Sequence, residues 1–216
     1  MLILALDTAT EQGSLSLVED DRPLREYTLS SAGTYLSRLL PAVAALFAGI
    51  GREPAELQAI GVSIGPGNFT GLRIGCATAK ALAWSLNCPL VPVPAMEVLA
   101  AQLPFQAQPI GVVLDAKRNE IFWGLYRCPA DRPQVLTEPV RLPLAELSGR
   151  LRSPLILTGF LESLIPLLSD AGILLAPPEL RRPRATTLAR LAGQRLAAGL
   201  TASPQQLAPT YLRPPL

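Results

Sequence analysis

The chain has 216 residues, of which 49% are hydrophobic and 17% charged, and it carries a formal net charge of +2. That balance excludes a disordered chain and gives no bulk electrostatic signature of a nucleic-acid binder. Histidine is absent, which excludes serine–histidine–aspartate and cysteine–histidine catalysis and any histidine-liganded metal in this chain, leaving acid–base work to carboxylates.

Residues Met1 to Thr10 are apolar for only a few positions before Asp7 and have no basic flank, so the expectation is a cytoplasmic chain with no signal peptide or membrane span. Leu2 to Leu6 reads as a strand ending at Asp7. A polar turn with Gly13, a strand over Ser14 to Val18, the turn cluster Asp20-Asp21-Arg22-Pro23 and a third strand over Leu24 to Leu29 complete a meander. A helix follows near Tyr35 to Ala48, then a strand near Leu57 to Ile64, a glycine-rich junction, a helix to about Leu86 and a strand over Leu90 to Val93. The second half repeats the plan. Ile110 to Leu114 is an apolar run ending at Asp115, Lys117-Arg118-Asn119 is a turn, Glu120 to Arg127 is the answering strand and Gln134 to Val140 the third. A strand at Leu155 to Leu157 and helices near Leu161 to Ser169 and Thr186 to Ala198 follow, before a proline-rich tail from Ser203. The expected fold class is α/β with two similar lobes, residues 1–105 and 106–216, the tail being able to return to the first as an extended strap. Cys76, Cys88 and Cys128 have no CxxC spacing, which argues against a disulfide framework and a structural zinc.

The first helix places Leu36, Leu39, Leu40, Val43, Leu46 and Phe47 on the pattern of a buried face, yet Leu39 to Ala48 contains no charged or hydrogen-bonding side chain. A second layer of this chain or another protein must therefore cover its other side. Pro41 starts or kinks its regular part. The second helix carries Gly71, Gly75, Ala79 and Ala83, a small residue at every fourth position. Such a ridge permits close approach, either to this chain's own sheet or to a partner's helix. Upstream, Gly65-Pro66-Gly67-Asn68-Phe69-Thr70-Gly71 stands where a strand meets a helix, a place suited to anions. It fails both nucleotide motifs: no Lys-Ser or Lys-Thr follows it, and Thr70 stands where the dinucleotide fingerprint needs its third glycine. A tight turn with Thr70 as helix cap needs no ligand.

Ile3 to Thr10, Leu39-Leu40-Pro41, Gly65 to Gly75 with Ala79-Lys80, Asp115-Ala116-Lys117 and Tyr211-Leu212-Arg213 together resemble the bacterial TsaB family, also called YeaZ, over most of the chain. Phe69-Thr70-Gly71-Leu72-Arg73 is the specific part, although Asn68 stands where serine is usual and no histidine precedes Leu39-Leu40-Pro41. The resemblance implies two RNase H-like lobes of the actin, Hsp70 and sugar-kinase superfamily. It further implies a non-catalytic scaffold subunit needed to threonylcarbamoylate the adenosine beside the anticodon in tRNAs reading codons that begin with adenine. Such a subunit binds the catalytic TsaD, works with the TsaE ATPase, self-associates as a homodimer when alone and meets tRNA through the complex, with no membrane involved. It holds no metal or cofactor by itself; ATP or ADP with magnesium belongs to the assembled complex. On this reading Leu36, Leu39, Leu40, Val43, Leu46, Phe47, Gly71, Gly75, Ala79 and Ala83 form the partner interface.

Two other readings compete. In a small ATP-dependent phosphotransferase of the same superfamily, Asp7, Thr8 and Asp115 line a nucleotide cleft; in the scaffold they are vestiges, each aspartate ending its strand at a turn. Direct tRNA contact would use Arg181, Arg182 and Arg184, which otherwise form a solvated loop.

Overall fold

The computed structural model describes residues 1–30, 35–160, 162, 164 and 172–212. The strands and helices in chain order are β1 (Leu2–Asp7), β2 (Gln12–Glu19), β3 (Arg22–Ser30), α1 (Tyr35–Phe47), β4 (Ala59–Ser63), α2 (Phe69–Leu86), β5 (Leu90–Val93), α3 (Ala95–Ala101), β6 (Gln106–Lys117), β7 (Glu120–Cys128), β8 (Gln134–Pro143), β9 (Leu155–Gly159), β10 (Ile173–Leu175) and α4 (Ala185–Ala197). They form two sheets of five strands, ordered β3-β2-β1-β4-β5 and β10-β9-β6-β7-β8. Each sheet is an antiparallel meander whose first strand also pairs in parallel with a later one, β1 with β4 and β6 with β9. The repeat legible in the two meanders is therefore a duplication of the whole sheet.

Every residue of β1 and β4 is buried, because these central strands are covered on both faces. Alternation along the strand divides the coverage. Leu2, Leu4 and Leu6, with Ile60 and Val62, pack with Leu39, Val43 and Leu46 of α1 and Cys76, Ala79 and Ala83 of α2. Ile3 and Gly61 face α4: a Cβ on Gly61 would lie 2.8 Å from Ala192 Cβ, and one on Gly193 would lie 3.3 Å from Ile3 Cδ1. The start of α4 is held by this sheet as well. Ala185 N–H donates to Ser14 Oγ at 2.8 Å, Thr186 N–H donates to Glu26 Oε1 at 3.1 Å, and Arg184 pairs with Glu26.

This arrangement corrects the expected boundary at residue 105. The first compact unit is residues 1–95 with 184–210, and the second is 96–183 with 211–216. Helix α4 belongs to the first unit because the free face of that sheet is apolar and α4 is what covers it. The tail does return to the first unit: Ala202 N–H donates to Leu90 O at 2.9 Å, Leu207 is buried, and Thr210 N–H donates to Ile64 O at 2.7 Å.

Two elements had no readable signal. Helix α3 is apolar and buried on nearly all sides, so it has no helical period, and β10 is only three residues long. Helix α1 lies where it was expected, and Pro41 does not start it. It begins at Tyr35 and runs through Pro41, which lacks the amide that would bond four residues back but does not end the helix. Tyr35, Leu39, Val43, Leu46 and Phe47 form its buried face, whereas Leu36 and Leu40 are exposed. The helix expected near Leu161 to Ser169, apart from residues 162 and 164, and Arg213 lie outside the described residues. Among the described residues no helix is long and apolar enough to cross a membrane.

A fragment of residues 1–105 lacks α4 and leaves the Ile3 and Gly61 face of the first sheet uncovered. It is expected to aggregate and to show no cooperative thermal transition by circular dichroism, where the full chain shows one.

Candidate functional site

The junction between β4 and α2 is built against the loop after β1. Asn68, not Thr70, is the helix cap: its Oδ1 accepts from Gly71 N–H at 2.9 Å, and its own N–H donates to Ala9 O at 2.7 Å. The glycines are explained by what a Cβ would strike. On Gly67 it would lie 2.2 Å from Ala9 O, on Gly71 2.2 Å from Thr8 O, and on Gly75 2.2 Å from Thr8 Oγ1. Helix α2 thus lies directly on the Thr8–Ala9 backbone, and no phosphate fits between the junction and that segment.

The same contact corrects the expected interface. Gly71, Gly75, Ala79 and Ala83 are all buried against this chain, Ala79 and Ala83 within the core shared with α1. Leu39, Val43, Leu46 and Phe47 are buried in that core too. Of the ten residues expected at a partner surface, Leu36 and Leu40 are exposed, by 74% and 54%. The exposed ridge of α2 is instead the opposite one, Phe69, Arg73, Ala77 and Ala81, followed by Trp84, which is 71% exposed. Arg73 stacks its guanidinium over the Phe69 ring at 4.0 Å. A tryptophan and a phenylalanine on the face opposite the small residues were the available sequence signal.

Under the junction, Asp7, Thr8 and Ser63 are fully buried at the ends of β1 and β4, and Asp7 Oδ2, Thr8 Oγ1 and Ser63 Oγ have no hydrogen-bond partner among the described residues. Asp7 Oδ1 accepts from Ala9 N–H at 3.0 Å. Burial pushes the Asp7 carboxyl up to about 6, opposed by the Ala9 amide and the neighbouring Ser63 hydroxyl. Helix α1 meets the same segment through Tyr35, whose hydroxyl donates to Thr10 O at 2.7 Å. Burial and then the nearby Asp7 raise its phenol. Cys76 on α2 has its thiol 3.9 Å from Ser63 O and is pushed up to about 11 by burial, with Lys80 opposing.

Asp7 and Thr8 are thus fully buried. In the second unit Asp115 is engaged by its own turn: Oδ1 accepts from Lys117 N–H at 2.7 Å and Oδ2 pairs with Lys117 Nζ at 2.7 Å. Lys117, Arg118 and Asn119 are all left-handed there, with φ of 62°, 57° and 59°, as the tight hairpin demands. The basic cluster is also taken up by the fold, since Arg181 Nε donates to Ala176 O at 2.7 Å and Arg184 pairs with Glu26. Cys76, Cys88 and Cys128 form no disulfide, and among the described residues no three histidine, cysteine, aspartate or glutamate side chains cluster as metal ligands.

Two duplicated sheets of this order define a two-lobed α/β protein of the actin, Hsp70 and sugar-kinase class. An activator of 2-hydroxyisocaproyl-CoA dehydratase from Clostridium difficile shares the fold at a TM-score of 0.55 and 9% identity. The solved structure of YeaZ from Pseudomonas aeruginosa matches with a TM-score of 0.84 and 28% identity, covering 98% of this chain and 99% of that one. Residues 30–149 match the family model described as TsaD, tRNA N6-adenosine threonylcarbamoyltransferase. The tRNA threonylcarbamoyladenosine biosynthesis protein TsaB of Bacillus subtilis is 37% identical over 127 residues, which span 59% of this chain but only 56% of that protein. The Escherichia coli protein of the same name is 28% identical over 99% of this chain and 95% of its own length. The chain belongs to the TsaB (YeaZ) family.

Gly75→Val is expected to destabilise the chain by roughly 1–3 kcal/mol or to prevent folding, because the new side chain enters Thr8; urea unfolding reads the difference, and an unchanged midpoint contradicts the contact. Asp7 gives a second expectation. Its folded value, about 6, lies above its ordinary 3.8, so its contribution is complete below pH 3.8 and is lost as pH rises through 6. Asp7→Asn is expected to remove that slope and to leave the chain more stable than wild type above pH 6, by up to about 3 kcal/mol, in urea titrations at pH 4 and pH 7.5.

Proposed function

We propose that the chain is an accessory, non-catalytic subunit in the formation of threonylcarbamoyladenosine on tRNA, and that it acts by docking a TsaD-type transferase against the exposed side of α1 and α2. The observation that carries the reading is the apolar strip of Leu36, Leu40, Phe69 and Trp84, with Ala77 and Ala81 between the aromatic residues. Large apolar side chains grouped on neighbouring helices mark an interaction site, and small residues along the ridge let a partner helix come close. The names of the curated relatives support the pathway, and the family model supports a partner of the same fold.

On this reading two copies of the chain pair through the same strip when the transferase is absent, and a TsaE-type ATPase joins the complex afterwards. Nucleotide with magnesium belongs to the assembly, since the junction in this chain is closed on Thr8 and Ala9. Contact with tRNA is likewise left to the assembly, because Arg181 and Arg184 are used within the fold. A phosphotransferase is not favoured: Asp7 and Thr8 are fully buried and Asp115 is held by Lys117.

The double variant Leu40→Glu with Trp84→Glu is expected to weaken binding to the TsaD-type subunit by at least about a hundredfold while the melting temperature stays near that of wild type. Calorimetric titration of the two purified subunits measures the first and thermal unfolding the second; full affinity in a folded variant overturns the docking face. Deletion of the gene is expected to deplete threonylcarbamoyladenosine in bulk tRNA digests, and an undiminished level overturns the pathway assignment.

A further inference from the structure

Three polar side-chain atoms are buried without partners in one place, the ends of β1 and β4, where Asp7, Thr8 and Ser63 meet. Unpaired buried polar groups are costly, and a buried carboxylate more so than a hydroxyl. The cluster lies where both helices of the exposed strip are seated. Helix α2 rests on Thr8 through Gly71 and Gly75, and α1 reaches the same loop through the Tyr35–Thr10 hydrogen bond. The groups that act on Asp7 are Ser63 on β4, the amide of Ala9 and Tyr35 on α1; Cys76 on α2 lies beside the Ser63 carbonyl, and the charged residues nearby, Glu11 and Lys80, act on Tyr35 and Cys76. The Asp7 carboxyl thus has the Ala9 amide on one oxygen and no partner in hydrogen-bond geometry on the other, with the Ser63 hydroxyl near enough to favour the charged form.

We propose that Asp7 is a proton-linked latch for the docking face: as the neutral acid it lets α1 and α2 sit on residues 7–10, and as the carboxylate it loosens both helices. An ionised Asp7 needs water or further donors, and in the latch α2 is the element that gives way, because it is seated on the adjacent Thr8 by close contact and not by a paired charge. Docking of a partner, which requires α1 and α2 in register, then weakens as the pH rises through the latch. Asp7 is a positioning residue here, acting through the helices without touching the partner. The partner arm of this inference rests on the proposed function; the seating of the helices does not.

The test is hydrogen exchange on the full chain, followed for the α1 and α2 amides between pH 5 and pH 8 and corrected for intrinsic rates. Wild type is expected to lose protection in the first two turns of α2 by at least about tenfold across this range, with a midpoint near the Asp7 value of about 6. Asp7→Asn is expected to show a flat profile. Ser63→Ala removes a hydroxyl that favours the carboxylate and is expected to move the midpoint to higher pH, so it carries the test even where Asp7→Asn fails to fold. A flat wild-type profile, or the same loss in Asp7→Asn, or an unmoved midpoint in Ser63→Ala, overturns the latch. Affinity for the TsaD-type subunit over the same range is expected to fall with pH for wild type relative to Asp7→Asn. Absence of binding at every pH refutes the docking partner while leaving the exchange result to decide the latch.

Discussion

The rest of the first unit depends on a single backbone contact, the seating of α2 on Thr8 and Ala9. Three glycines make it, and at each of them a methyl group would fall 2.2 Å from an atom of that segment. Glycine inside a helix is unfavourable by about 1 kcal/mol against alanine, so its use at Gly71 and Gly75 is intelligible only through what it allows. What it allows is a helix in direct contact with Thr8, with no side chain of its own between. The side of the junction that faces Thr8 and Ala9 is therefore filled by the chain itself.

From that contact the orientation of the other surfaces follows. With one ridge of α2 pressed on the sheet, the ridge about half a turn away, Phe69, Arg73, Ala77 and Ala81, must face outward, and Trp84 with it. Helix α1 packs beside it with Leu39, Val43 and Leu46 inward, which leaves Leu36 and Leu40 on the outer side. An apolar strip on a folded chain follows from the inner packing, and its composition suits a helical partner better than a small ligand. The buried aspartate beneath the same helix is then an expense of the seat, and its ionisation bears on both helices at once.

The two units share their strand order yet differ in what occupies the end of the first strand. In the first, Asp7 is fully buried and left with one unpaired oxygen; in the second, Asp115 stays partly in solvent and is paired with Lys117 from its own hairpin. A duplicated architecture therefore carries two unlike aspartates.

By itself the sequence determined the sheet strands that alternate or run apolar, the helices α1, α2 and α4, the duplication and the family, because these are written in local period, turn residues and motif. It also excluded histidine chemistry outright. It did not reveal α3, buried on nearly all sides and so without a period, or β10, three residues long. Nor did it reveal which side of α2 is inner, since a ridge of small residues fits a sheet and a partner helix equally well, and only the approach of Thr8 separates the two. Tertiary structure decided that, moved the cap from Thr70 to Asn68, brought α4 from the far end of the chain to the first sheet and left Asp7 Oδ2 unpaired. Apart from the cap, a bond between Asn68 and Gly71 three residues on, each arises where segments distant in sequence meet, set by which surfaces remained to be covered once the local elements had formed.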